Sequence, residues 1–227
     1  MTRCWLSEHH ACITTDNSVL PCTRYRKRNG APNLRYTNLK DAFNSSYLKN
    51  IRKDLQQGIK LPGCQKCWNQ EDANVLSMRQ EYNGAWTGTL QSIEIAFSNH
   101  CNYACRHCDS FSSSKWFEDD LKLGRDATSK LIEPNFEMLN NLQDVTYIKI
   151  LGGEPLINKT HNKFLKKLDN IKNITLEYST NGSVYPSQDI IDIWEQAKHI
   201  KLSVSLDDIF DAFEYFRTGS DFSAVTK

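Results

Sequence analysis

The sequence predicts an α/β protein built on a parallel sheet and preceded by a small cysteine-rich α+β domain. Three observations carry this reading. From residue 90 onward, short apolar runs alternate with runs whose apolar residues recur at helical spacing, the pattern of repeated βα units and so of a parallel sheet. Before that point the alternation is absent, and five of the eight cysteines fall there. Lastly, all four apolar runs end in unusual residues: Cys101 to Cys108, Gly152-Gly153-Glu154, Ser179 to Asn181, and Ser205 to Asp207. Parallel βα sheets carry their sites at the C-terminal strand ends, so these four ends belong to one site. The predicted division is residues 1–85 and 86–227.

In chain order, residues 11–15 and 19–22 pair as a hairpin, with Asp16-Asn17-Ser18 as the turn because Asn and Asp tolerate positive φ. Breakers make 28–33 a loop. A helix runs over 39–57 on the spacing of Leu39, Phe43, Tyr47, Leu48, Ile51 and Leu55, with Gly58 as its stop. The knuckle Gly63-Cys64-Gln65-Lys66-Cys67-Trp68 follows, then a helix over 73–86. Strands are predicted at 92–97, 145–151, 174–179 and 200–206, and helices at 113–121, 130–142, 161–171, 190–197 and 209–216.

With 227 residues, 39% hydrophobic content and 24% charge, the chain can bury a core and has the make-up of a soluble globular protein. A net charge of +1 gives no global pull toward nucleic acid or anionic membrane, and the basic run Arg24 to Arg28 reads as a solvated loop. No run reaches the roughly 18 apolar residues of a membrane helix, and Met1-Thr2-Arg3-Cys4-Trp5 has no signal-peptide core. The expected compartment is the cytoplasm. Thiols stay reduced there, so eight cysteines point to metal rather than disulfides.

Cys101-x3-Cys105-x2-Cys108 supplies three thiolates, enough for three irons of a cubane cluster with the fourth iron left open. Zinc is the alternative on the residues alone, with His100 or His107 as fourth ligand, although each is adjacent to a cysteine in sequence. A second zinc arrangement pairs the Cys64–Cys67 and Cys105–Cys108 knuckles and leaves Cys101 unused.

The cysteine motif after one strand, joined to Gly152-Gly153-Glu154-Pro155 after the next, resembles the radical S-adenosylmethionine (SAM) superfamily. The resemblance implies that Cys101, Cys105 and Cys108 ligate a [4Fe–4S] cluster whose open iron is chelated by SAM. It further implies that Gly152 and Gly153 admit the methionyl group and that Glu154 accepts from its ammonium, for which close backbone approach and a carboxylate are suited. His107, where the family often has an aromatic or aliphatic residue, would stack near the adenine. Ser203-Val204-Ser205-Leu206-Asp207 with Arg217 resembles the peptide-modifying branch. There Ser205 and Asp207 would contact the ribose region and Arg217 the SAM carboxylate, while Ser179 and Asn181 would also face the cofactor. The Asp-Gly of that branch is Asp207-Asp208 here.

Cys4, Cys22, Cys64 and Cys67 are similar to the twitch or SPASM-like auxiliary module, placed before the barrel, and imply a second [4Fe–4S] cluster. Cys12 reads as a buried apolar residue. The family fold implied is a partial (β/α) TIM-like barrel, of which four βα units are counted here against six in the family. The implied activity is reductive cleavage of SAM to a 5′-deoxyadenosyl radical that takes hydrogen from a peptide or protein substrate, with a flavodoxin or ferredoxin as electron donor. No hydrogen or proton donor is assigned. The other classes weighed are a structural zinc-binding interaction protein and a non-catalytic iron–sulfur relative.

Overall fold

The computed structural model describes residues 2–26, 29–128, 131, 136–140, 142–158 and 160–226. The chain divides into two compact units, one of Met1–Glu94 with Asn135–Thr146, the other of Ile95–Pro134 with Tyr147–Lys227.

In the first unit, α1 (Trp5–His9) leads into β1 (His10–Ile13), which pairs antiparallel with β2 (Val19–Leu20) in the register Cys12↔Leu20, Ile13↔Val19. Asn17 turns the hairpin at φ 70°, as predicted, and Asp16 accepts from the Ser18 N–H. The predicted 39–57 helix is instead two, α2 (Leu39–Phe43) and α3 (Ser46–Gln56). Each has its own cap: Asn38 accepts from the Asp41 N–H and Ser45 from the Leu48 N–H. Apolar spacing cannot report this break, because Leu39, Phe43, Leu48, Ile51 and Leu55 are buried on both sides of it.

A 3-10 turn at Pro62–Cys64 enters α4 (Gln65–Asp72). The predicted 73–86 helix shrinks to α5 (Met78–Glu81). Ala73 ends α4, Asn74 takes φ 56°, and a Ser77–Gln80 capping box starts the next turn. Then comes β3 (Ser92–Ala96), whose residues 92–94 belong to this unit, in the strand order β2-β1-β3.

The second unit takes the rest of β3 and continues through β4 (Ala104–Cys105), α6 (Phe117–Lys122), β5 (Tyr147–Leu151), α7 (Thr160–Leu165), β6 (Thr175–Thr180), α8 (Gln188–Trp194), β7 (His199–Val204), α9 (Phe210–Phe216), β8 (Arg217–Thr218) and α10 (Phe222–Val225). It is mixed α/β, with strand order β3-β5-β6-β7 and β5, β6 and β7 parallel, Lys149 aligned with Glu177 and Glu177 with Lys201. Ile148, Ile150, Leu176 and Tyr178 form the buried face, where the Tyr178 ring meets His161 of α7 at 5.6 Å and Trp194 of α8 at 5.1 Å. The opposite face is polar: Glu177 accepts from Lys149 at 2.8 Å, from Ser203 at 3.3 Å, and from the Tyr147 hydroxyl.

The helix expected over 113–121 is a 3-10 turn at Ser114–Trp116 followed by α6, and the one expected over 161–171 ends at Leu165. Of the helix expected over 130–142, residues 130, 132–135 and 141 lie outside the described residues, and Phe136–Met138 is a 3-10 turn. Lys27 and Arg28 of the basic run also lie outside them. Among the described residues no helix is long and apolar enough to cross a membrane.

Candidate functional site

The chain leaves β3 into a loop held by its own side chains. Buried Asn99 donates to Ser110 O at 2.9 Å, Ser98 accepts from the His100 N–H at 2.9 Å, and Trp116 donates to Cys105 O at 2.8 Å. The loop gathers Cys101, Tyr103 and Cys105 into one buried cluster, with Cys108 packed against it. The Cys105, Cys108 and His107 donor atoms all lie within 4.8 Å of one another. Adjacency in sequence therefore does not keep His107 away from these thiols. The Cys105 thiol is lowered to about 7, chiefly by the hydrogen bond from Cys108, with Arg217 also favouring its thiolate. Cys108 is pushed up by donating that bond and by burial.

A two-stranded ribbon absent from the sequence reading latches this loop. β4 pairs antiparallel with β8, Ala104 opposite Thr218 and Cys105 opposite Arg217. Arg106 extends the latch: its N–H donates to Phe216 O and its Nε to Tyr215 O, both at 2.8 Å, while its guanidinium lies 3.9 Å from the Tyr215 ring centre.

The Gly-Gly-Glu motif closes against the same loop. Gly152 and Gly153 take φ 92° and 47°. A Cβ at Gly153 would stand 2.0 Å from His100 O, and one at Gly152 2.6 Å from Ser98 O, so only glycine lets the two backbones meet. The Glu154 N–H donates to His100 O at 2.8 Å. The Glu154 side chain is fully buried and accepts from Leu156 N at 3.0 Å, Thr180 Oγ1 at 2.8 Å and Asn181 N at 2.6 Å. Burial raises its pKa while these bonds oppose the rise. A carboxylate has about four acceptor positions, and these donors fill three of them.

Asn181 carries the network onward. Its Nδ2 donates to Asn102 Oδ1 at 2.9 Å and lies 3.9 Å from Cys101 Sγ, while its Oδ1 accepts from Ser183. The Ser205 N–H reaches Thr180 O at 2.9 Å, which brings in the end of β7. Beyond it, Asp207 lies 2.8 Å from Arg217 Nη2 and 3.9 Å from His107 Nδ1. Arg217 Nη1 lies 3.8 Å from Cys105 Sγ. Ser179 sits on the half-buried face of β6, opposite to Thr180, so its side chain does not point with the Glu154 partners. Thr180, Asn102 and Arg106 were not singled out from the sequence, though each is a polar neighbour of a residue that was.

In the first unit, Cys4, Cys22, Cys64 and Cys67 line one cavity, together with Tyr25 and Arg79. Cys12 lies buried in β1 and does not line it. Burial raises the thiols of Cys4 and Cys22 and pushes Cys64 up to about 12. Bound iron or zinc would draw such thiols into the thiolate form. One tetrahedral zinc with bonds of about 2.3 Å needs sulfurs about 3.8 Å apart. Among the described residues, no three of these four sulfurs lie within 4.8 Å of one another, so they are not gathered for one tetrahedral zinc. In the second unit the fit rests on the packing of Cys101, Cys105 and Cys108 in one cluster and on the buried Arg217 Nε, which among the described residues has no hydrogen-bond partner and is a donor suited to an anionic ligand group.

Comparison with known proteins bears on both sets of cysteines. The model of the Radical SAM superfamily matches residues 95–225, and that of an iron–sulfur cluster-binding domain (SPASM) matches residues 4–68. The GTP 3′,8-cyclase of Helicobacter pylori strain J99 is 29% identical over 94 residues, 41% of this chain and 28% of its own length. The radical SAM cyclopropyl synthase TigE of Paramaledivibacter caminithermalis is 22% identical over 236 residues, 96% of this chain and 48% of its own length. The chain thus spans less than half the length of these relatives. No solved structure matches it.

Proposed function

Because the chain belongs to the radical SAM superfamily and carries an N-terminal iron–sulfur cluster-binding domain, we propose that it abstracts hydrogen from a peptide or protein substrate. The family implies a [4Fe–4S] cluster with SAM, and the N-terminal domain an auxiliary iron–sulfur cluster. When bound, the first cluster and SAM supply reductive cleavage to methionine and a 5′-deoxyadenosyl radical.

The chain's own share is to hold and orient these groups. Cys101, Cys105 and Cys108 would hold the first cluster, and Cys4, Cys22, Cys64 and Cys67 the second, as a [4Fe–4S] cluster. Glu154 offers its remaining acceptor position to the SAM ammonium, with Gly152 and Gly153 beside it. Arg217 offers its Nε to the SAM carboxylate. Asn181, Ser205 and Asp207 complete the lining, and His107 stands at the cluster's edge. The observation that carries this reading is the continuous polar network from Glu154 through Asn181 to Cys101, with Arg217 linking Cys105 to Asp207.

The peptide substrate rests on the likeness of Ser203 to Asp207 and Arg217 to the peptide-modifying branch, together with the auxiliary domain. Similarity to GTP 3′,8-cyclases over 41% of the chain favours a second reading, a nucleotide substrate. The electron donor is a flavodoxin or ferredoxin, and the compartment is the cytoplasm.

Anaerobic purification with iron and sulfide assay tests the core of the proposal. Two clusters give about eight irons per chain, and SAM is cleaved on reduction. Zinc without sulfide ends the idea. Cys105→Ala is expected to lose cleavage and keep the front cluster; loss of both clusters would show that the ligands are divided wrongly.

A further inference from the structure

The four front cysteines come from distant parts of the sequence, Cys4 from the N-terminus, Cys64 from the N-cap of α4 and Cys67 from its first turn. One side chain ties these parts together. Arg79 donates through Nη1 to the carbonyl of Arg3, the residue before Cys4, at 3.0 Å. Its guanidinium carbon lies 5.0 Å from the ring centre of Trp68, the residue after Cys67. Its Nε and Nη2 grip both oxygens of Glu71, one helical turn beyond Cys67. Ser77 donates to the same carboxylate at 2.6 Å. Arg79 and Glu71 are largely enclosed, at 11% and 16% side-chain exposure, and Arg79 lines the cysteine cavity.

We propose that Arg79, held by Glu71, is the positioning residue that sets Cys4 against the Cys64–Cys67 knuckle and supplies the positive charge that eases reduction of the cluster they hold. This rests on the auxiliary-cluster reading above. Reduction adds one electron to the cluster and makes or breaks no bond, so its negative charge grows by one. Nearby charge and hydrogen bonding are among the factors that set such potentials. A planar fork can hold a carboxylate and a carbonyl together, which a lysine ammonium cannot do in the same geometry.

The test uses the full chain with Cys101, Cys105 and Cys108 changed to Ala, so that only the front cluster reports. Iron and sulfide are assayed, and the cluster is titrated with dithionite while its paramagnetic signal is followed. Arg79→Gln is expected to disfavour reduction at least tenfold, a fall of 59 mV or more for one electron. Arg79→Lys is expected to recover most of that fall while retaining less iron, because charge is kept and the fork is lost. Full iron with an unchanged potential in Arg79→Gln overturns the inference. So does an equal fall in both variants. If Arg79→Gln does not fold, Arg79→Lys decides: a potential within 59 mV of the parent with reduced iron supports the inference, and a larger fall overturns it. Absence of iron and sulfide in the parent chain would instead remove the auxiliary-cluster reading itself, and the inference with it.

Discussion

Arg217 and Cys105 face each other twice, once as backbone partners across the β4–β8 ribbon and once through Nη1, 3.8 Å from the cysteine sulfur. The same guanidinium holds Asp207 at 2.8 Å. One residue on the last strand therefore fixes the central cysteine and the end of β7 together.

Arg217→Gln is expected to cost about 1–3 kcal/mol. This is below the range for a buried pair because Asp207 is partly exposed. Urea unfolding of the metal-free chain measures it, and Asp207→Asn should reproduce only part of the loss. An Arg217→Gln chain as stable as its parent would show that the pair adds nothing.

Gly153→Ala pushes a methyl into His100 O at 2.0 Å and keeps a positive φ. A loss of about 2–4 kcal/mol is expected, with reduced iron retention as the cysteine loop shifts. Gly124→Ala is the control: its φ is also positive, but the added carbon meets nothing within 4 Å among the described residues, so only the left-handed strain of about 1–2 kcal/mol remains. Equal losses at the two sites would remove the close-approach explanation.

His161 is fully enclosed, with Nδ1 2.7 Å from Asn158 O, and burial lowers its pKa to about 4 from the ordinary 6.5. The unfolded chain takes a proton there that the folded chain refuses. Its contribution is complete above pH 6.5, declines as pH falls through the window from 6.5 to 4, and is level below that. The loss across the window amounts to about 3 kcal/mol. Unfolding free energies at pH 7.5 and 4.5 should differ less in His161→Phe than in the parent, and an unaltered difference would assign the pH dependence elsewhere.

Arg106→Ala should free the segment from Tyr215 to Thr218 from the cysteine loop. The exposed guanidinium makes the stability cost about 1 kcal/mol. Hydrogen exchange is the sharper readout, with the Arg106 amide, bonded to Phe216 O, exchanging faster. Protection equal to the parent's would mean that the ribbon holds without this side chain.

The parts legible in the sequence are those governed by near neighbours. The hairpin turn at Asn17, the parallel strands β5 to β7 and the convergence of four strand ends all follow from local periodicity and breaker residues. The β4–β8 ribbon is only two residues long on each strand and joins residues 104–105 to 217–218, so no periodic signal announces it. Ser45 starts a second helix by one side-chain hydrogen bond, which an unbroken apolar stripe conceals. Thr180 is hidden in the sequence for a related reason. Its value lies in facing Glu154, and a strand's inward and outward residues cannot be assigned until the sheet's two faces are known.

Glu154 also bears on how a ligand is received. Its carboxylate is fixed by donors from Leu156, Thr180 and Asn181, so the ends of β5 and β6 are ordered by the chain itself. A ligand bound beside these strand ends, as proposed above, would meet a rigid wall and cost the protein little further conformational freedom. Association there should accordingly show a small entropic penalty from the protein, with affinity governed by the match of charge and shape.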